Sequence, residues 1–125
     1  MRIYISSRDS KHLYPGNTAS NFRVQLPQHL EGSWECGVVY YSIPVRPDNP
    51  LYLTCDFIDA SIMGGRFHPV LCMIHAKNKE IQHINYIRVK SNNISSFGVQ
   101  VVNVQEETVS FAKGETLIVL DFRPV

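Results

Sequence analysis

Five histidines (His12, His29, His68, His75, His83), three cysteines (Cys36, Cys55, Cys72) and the neighbouring carboxylates Asp56 and Asp59 are the side chains of this 125-residue chain best suited to hold a metal or move a proton. A metal site needs its ligands to converge from one side. His68 and His75 flank one apolar run with Cys72 between them. In an extended strand, residues at odd separation face opposite ways, so the two imidazoles diverge and Cys72 shares a face with His68 only. The cysteines lie in apolar runs without C-x-x-C spacing and read as buried free thiols. These spacings predict neither a metal site nor a cofactor.

Nucleophilic catalysis needs a Ser or Cys, a base and an orienting acid. Ser6, Ser7, Ser10, Ser91, Ser95 and Ser96 stand in turn-like contexts, where the hydroxyl bonds local backbone, and there is no G-x-S-x-G elbow. Asp56 and Asp59 fall at the end of a predicted strand, where turn-forming Asp is common. Gly64-Gly65 lacks the following Lys-Ser/Thr and the helix of a phosphate loop, and reads as a turn. Asn93-Ile94-Ser95 matches a glycosylation acceptor. The N-terminal residues lack a signal-peptide apolar stretch, so synthesis in the cytosol is expected and the acceptor stays unmodified. No residue is read as catalytic, and the expectation is a protein without enzymatic activity.

The elements that would position any such group are strands. Apolar residues recur with period two or in short runs rich in Val, Ile, Tyr and Phe, interrupted by turn formers. Residues 2–7 alternate. Phe22, Val24 and Leu26 share one face before Pro27, which is expected to end the run. Residues 34–45 suit a strand buried on both faces and central in a sheet, closing at Pro44 and Pro47. Residues 51–58, 70–76, 86–90, 98–104 and 116–123 add further strands, with 109–111 a short extra, making about eight or nine. Loops are expected at 9–20, 46–50, 61–66, 77–83, 92–96 and 106–107, with one helical turn allowed at 77–83. Strands without intervening helices cannot make parallel crossovers, so residues 1–125 are expected to form one all-β domain, an antiparallel β-sandwich of single jelly-roll-like form.

Hydrophobic residues at 44% and charged residues at 18% fit a globular chain. Lys plus Arg number 12 against 11 Asp plus Glu, so no strong field favours nucleic acid or an anionic membrane. No run approaches the roughly 18 apolar residues of a membrane span. Tyr4, Tyr14, Tyr40 and Tyr41 with Arg2, Arg8 and Arg23 could offer single-stranded nucleic acid a stacking surface, but the charge balance argues against it. Partners must be chosen by shape.

The segments 14–27 (YPGNTASNFRVQLP) and 30–44 (LEGSWECGVVYYSIP) carry a recognisable pattern, continued in 51–56, 68–71 and 114–124. The pattern resembles proteins of polinton-like and adintovirus-like DNA elements, which show an Asn-Phe strand, Leu-Pro, a Gly-x-Trp-Glu-Val turn into a strand and a closing Leu-His-Phe-Arg. Here Cys36 stands for the usual Val, Ile43-Pro44 for Tyr-Pro and Asp121 for His. The resemblance implies a structural virion protein, a minor capsid protein of vertex (penton-like) or cement kind. It would associate with itself, a pentamer being favoured, and dock on other capsid proteins. It would be located in the virion, and in host cytoplasm or nucleus during assembly. Tyr4, Tyr14, Asn17, Arg23, Tyr40 and Arg66 are the candidate interface residues. The other reading is a non-enzymatic module binding carbohydrate or a host receptor, with the tyrosines and Trp34 as platform. Exposure of Trp34 would favour that reading; burial would make it a core anchor.

Overall fold

Strands form here because apolar side chains return at every second position. Buried Phe22 and Val24 alternate with exposed Asn21, Arg23 and Gln25, and buried Ile118, Leu120 and Phe122 alternate with more open Leu117, Val119 and Asp121. The computed structural model describes residues 1–125. It contains β1 (Arg2–Ser6), β2 (Asn21–Glu31), β3 (Trp34–Ser42), β4 (Leu51–Cys55), β5 (Ser61–Met63), β6 (Arg66–His68), β7 (Val70–Ile74), β8 (Asn78–Glu80), β9 (Ile87–Arg88), β10 (Asn93–Val102) and β11 (Leu117–Pro124).

One sheet has the order β1-β11-β3-β8, with β9 also on β3; the second has the order β2-β10-β4-β7; β5 and β6 form a separate hairpin. Every pairing is antiparallel. With the short β5, β6 and β9 set aside, the pairs nest: β4 with β7 innermost, then β3 with β8, β2 with β10, and β1 with β11 outermost. Successive pairs alternate between the sheets.

The inner faces share one core of 22 buried residues, making an antiparallel β-sandwich. An aromatic chain spans the layers. Phe57 stacks on Phe97 of β10 at 4.8 Å and meets Phe122 of β11 edge-on at 5.6 Å, and Phe122 meets Trp34 edge-on at 6.5 Å. Backbone bonds of 2.8 Å in both directions between Met1 and Phe122, with Ser7 N–H donating to Thr116 O at 2.9 Å, zip the first strand to the last.

Several local expectations are corrected. Pro27 does not end its strand: β2 is an edge strand, and its pairing with β10 jumps from Gln25↔Ser96 to Leu30↔Ile94. Pro27 therefore sits in a bulge that asks no ladder N–H of it. Residues 92–96 are mostly strand, the start of β10. Residues 77–83 hold β8 rather than a helical turn, because the edge of β3 at Tyr40–Ser42 recruits Asn78–Glu80. Residues 109–111 form no strand; Val109 N–H only donates to Val101 O at 3.0 Å. Residues 61–66 are not merely a loop. They carry β5 and the start of β6, joined by Gly64 (φ 60°) and Gly65 (φ 80°), a two-residue turn with both centres left-handed.

Strand β3 is central, as its apolar run foretold, with Cys36, Gly37, Val38 and Val39 buried in succession. The segment between β8 and β9 crosses it at Gly37, where a Cβ would lie 2.3 Å from Ile84 Cγ2 and 3.0 Å from Asn85 O. The second sheet's edge is also protected. Asn17 accepts from Arg23 N–H at 3.0 Å and donates to Arg23 O at 2.9 Å, and Ser10 Oγ accepts from Gln25 N–H at 2.9 Å, so side chains stand where another strand would pair.

The three cysteines are free; Cys36 and Cys55 are buried and Cys72 half-buried. Burial pushes Cys36 and Cys72 up to about 12 and raises Cys55 well above its ordinary 9.0. The unfolded chain releases these protons from pH 9.0 upward while the folded chain holds them, so stability falls as pH rises from 9.0 toward 12. The loss is about 1.4 kcal/mol per pH unit for each thiol. Urea unfolding across that window should show the decline, and Cys36→Ala should remove its share of the slope; an unchanged slope would refute the assignment.

Candidate binding surfaces

The outward face of the second sheet carries a polar cleft of about 400 Å³. Register builds it: Asn21, Gln100 and Thr54 form one row across β2, β10 and β4, and Arg23 and Gly98 begin the next. Asp56, just past β4, completes the second row, accepting from Gly98 N–H at 3.0 Å and from Arg23 Nη1 at 3.0 Å. Gly98 makes that span possible, because a Cβ there would meet Arg23 Nη1 at 3.0 Å and Asp56 Oδ2 at 3.2 Å. Exposed on both sides, this ion pair adds at most about 1 kcal/mol.

The hairpin of β5 and β6 forms the cleft's far wall through His68 and is held by Glu106, which lies between β10 and β11. Glu106 Oε2 stands 3.6 Å from Arg66 Nη1, and Oε1 stands 2.9 Å from His68 Nε2. That nitrogen is buried yet out of line for a hydrogen bond, so this contact carries only what proximity gives. Glu106 is the single non-glycine residue with positive φ, at 70°. Asn103 imposes this turn, its Oδ1 accepting from Gln105 N–H and Glu107 N–H at 3.0 Å each. A left-handed Glu costs roughly 1–2 kcal/mol, and the conformation aims its carboxylate at the hairpin.

The hairpin shows its apolar side to solvent. Ile62 and Phe67 are directly paired across it and are 71% and 74% exposed, while Met63 is buried. On the opposite side of the molecule, the outward face of the first sheet carries a mostly apolar groove of about 450 Å³. Tyr4, Val119, Tyr40 and Glu80 lie in one row across β1, β11, β3 and β8, with Leu117 in the next row. Tyr4 is 71% exposed. A clamp covers the other end of this face. Tyr86 donates to Asp121 Oδ2 at 2.7 Å, which raises its phenol, and Arg123 lies over the Tyr86 ring at 3.6 Å while pairing with Glu35.

Of the six residues named from sequence, the structure brings Tyr4 and Tyr40 together in the groove, sets Arg23 in the cleft and Arg66 on the hairpin. Asn17 is buried and Tyr14 half-buried. The Asn17 amide is engaged by Arg23 and the Tyr14 hydroxyl donates to Gln25 Oε1 at 3.1 Å, so both serve the β2 edge. Trp34 offers no open platform: it is half-buried, edge-on to Phe122, and donates to Glu31 O at 2.7 Å. The sequence reading leaves out Leu117, Val119, Ile62, Phe67 and Glu106. For Leu117 and Val119 a signal was present, since they are apolar in the outward phase of a strand whose inward phase is already apolar.

Compared with known protein families and with curated proteins, the chain matches none.

Glu106→Gly should keep the left-handed turn, remove the carboxylate and free the hairpin. Global stability should move by no more than about 1 kcal/mol, since relieved strain offsets the lost pairs. Trypsin should cut after Arg66 several times faster than in the native chain. Equal cutting rates would show that Glu106 is not what holds the hairpin down.

Proposed function

We propose that this chain is a structural virion protein without enzymatic activity, a minor capsid protein of vertex (penton-like) or cement kind. It associates with itself and docks on other capsid subunits. The observation that carries the reading is the nested strand order. Eight principal strands, numbered along the chain, lie as 1-8-3-6 in one sheet and 2-7-4-5 in the other, the pattern of a long hairpin rolled over itself. That order supports a single jelly roll, an architecture used in viral shells and in lectins. The sequence resemblance to proteins of polinton-like and adintovirus-like elements favours the shell. The groove on one sheet and the hairpin on the other supply surfaces for contacts between subunits. The work is done in the virion, after assembly in host cytoplasm or nucleus.

The polar cleft favours a second reading, a module binding carbohydrate or a host receptor, because its hollow is lined by the polar side chains Asn21, Arg23, Thr54, Asp56 and Gln100. Trp34 contributes nothing to it.

Light scattering on the purified chain over a concentration series separates the two. A mass five times that of the chain supports the vertex form, which must match a five-fold axis. A mass that stays monomeric at every concentration overturns autonomous self-assembly, and saturable glycan binding lost on Gln100→Ala would then establish the second reading.

A further inference from the structure

We propose that a basic hollow between the turn after β1, the residues leading into β2 and the segment leading into β11 binds a small molecule through a pyrophosphate-like group. Neither reading above uses this site. Arg8 and Lys11 enter it from the first of these segments, Thr18 from the second, and Lys113 with Gly114 from the third, around a space of about 490 Å³. All three cationic residues are exposed, and no carboxylate lines the hollow. The polar cleft is the contrast, since there Arg23 arrives paired with Asp56 and Glu106 lines the same space. A concave surface carrying charge of one sign concentrates counter-ions of the other.

The donors around the hollow are available. The Arg8 and Lys113 side chains make no ion pair and no hydrogen bond within the chain, while Lys11 gives one of its three protons to Asn17 O at 3.1 Å and keeps two. The backbone N–H groups of Ala112, Lys113 and Gly114 also donate to no group of the chain. The frame that holds these donors is already built. Ser7 N–H donates to Thr116 O at 2.9 Å, Thr116 N–H donates to Ser7 Oγ at 3.0 Å, and the Thr116 hydroxyl donates to Ala19 O. Ser7, Ala19 and Thr116 are buried, so these bonds tie the three segments together before a ligand arrives and reduce the ordering cost of binding.

Charge also sets the size of the ligand. Asp9 accepts from Ser6 N–H at 2.8 Å and Glu115 accepts from the Ser6 hydroxyl at 2.5 Å, so two carboxylates gather at Ser6, next to Ser7 of the hollow. Neither pairs with the three cations, but both repel a long polyanion running past them. Three cations match the charge of a pyrophosphate group and fall short of a polynucleotide track.

Calorimetric titration of the full chain with sodium pyrophosphate tests the site, in about 0.15 M salt, where charges more than about 8 Å away are screened. Saturable one-to-one binding is expected, weakened about tenfold by Arg8→Gln and by Lys113→Gln. Lys90→Gln removes the same charge near Trp34, at the opposite end of β3 and β11, and should leave the affinity unchanged. All three positions are exposed, so the melting temperatures of the variants should match that of the native chain. No saturation below about 1 mM, or an equal loss in Lys90→Gln, would overturn the site and leave only diffuse surface charge. A single-stranded oligonucleotide that binds more tightly than pyrophosphate, its log affinity falling against log salt more steeply than about −2, engages more than three phosphates and overturns the compact ligand.

Discussion

The pairing of β1 with β11 is the contact on which the rest of the molecule depends. Because the pairs nest, this one closes the longest stretch of chain and lies outside every other pair. The entropic disadvantage is modest, since closure cost grows with the logarithm of loop length. From the innermost pair to the outermost it rises by about 2 kcal/mol. Burial decides the balance. Ile5 from β1 and Ile118, Leu120 and Phe122 from β11 are almost wholly buried, and each contributes about 1.5–3 kcal/mol. The final strand thus does more than extend a sheet: it supplies the Phe122 ring that links Trp34 on one side to Phe57 and Phe97 on the other.

Closing the sandwich leaves sheet edges and outward faces, and the chain treats them differently. The β2 edge is occupied by Asn17 and Ser10. The face over Gly37 is crossed by the segment that ends in the Tyr86–Asp121–Arg123 clamp. The face over Gly98 is bridged by Arg23 and Asp56. Two apolar places receive no such cover, the row of Tyr4, Val119 and Tyr40 and the hairpin pair Ile62–Phe67. Isolated apolar residues on a surface need no explanation, but directly paired ones do, and both of these places are paired, as are Tyr52 and Met73 on the second sheet.

The architecture was legible in the sequence wherever a physical rule acts locally. Alternation marked Phe22, Val24 and Leu26 as one strand face, the apolar run at residues 34–45 marked a strand covered on both sides, and Gly64-Gly65 marked a turn. Legibility failed where a distant partner decides. Pro27, which has no N–H, ends a strand only where the ladder needs a donor at that position, and whether it does depends on the register of β10. Residues 78–80 take strand form because Tyr40–Ser42 present an edge to them. Among site residues, Tyr4 and Tyr40 could be named as exposed aromatics, but their shared row exists only through Val119 of a strand more than half the chain away. Asn17 carries the composition of a recognition residue and is instead an edge cap, and nothing in the sequence around Glu106 announces a left-handed carboxylate.

The position of the hairpin follows from the same nesting. β5 and β6 are inserted in the connection between β4 and β7, the innermost pair, where the chain has the least to close. Added length there raises closure cost by only fractions of a kilocalorie and disturbs none of the outer pairs. An insertion elsewhere would have to pass over the sandwich or lengthen a crossing between its sheets. Loops tolerant of insertion are where binding surfaces arise, yet a loop free to move binds poorly because it must be ordered on contact. Glu106 lies against this insertion. It comes from the connection between β10 and β11, the other end of the nested order, and its two carboxylate oxygens reach Arg66 and His68. The strained residue and the inserted hairpin thus meet, the left-handed backbone at position 106 aiming a carboxylate at the side of the hairpin opposite Ile62 and Phe67.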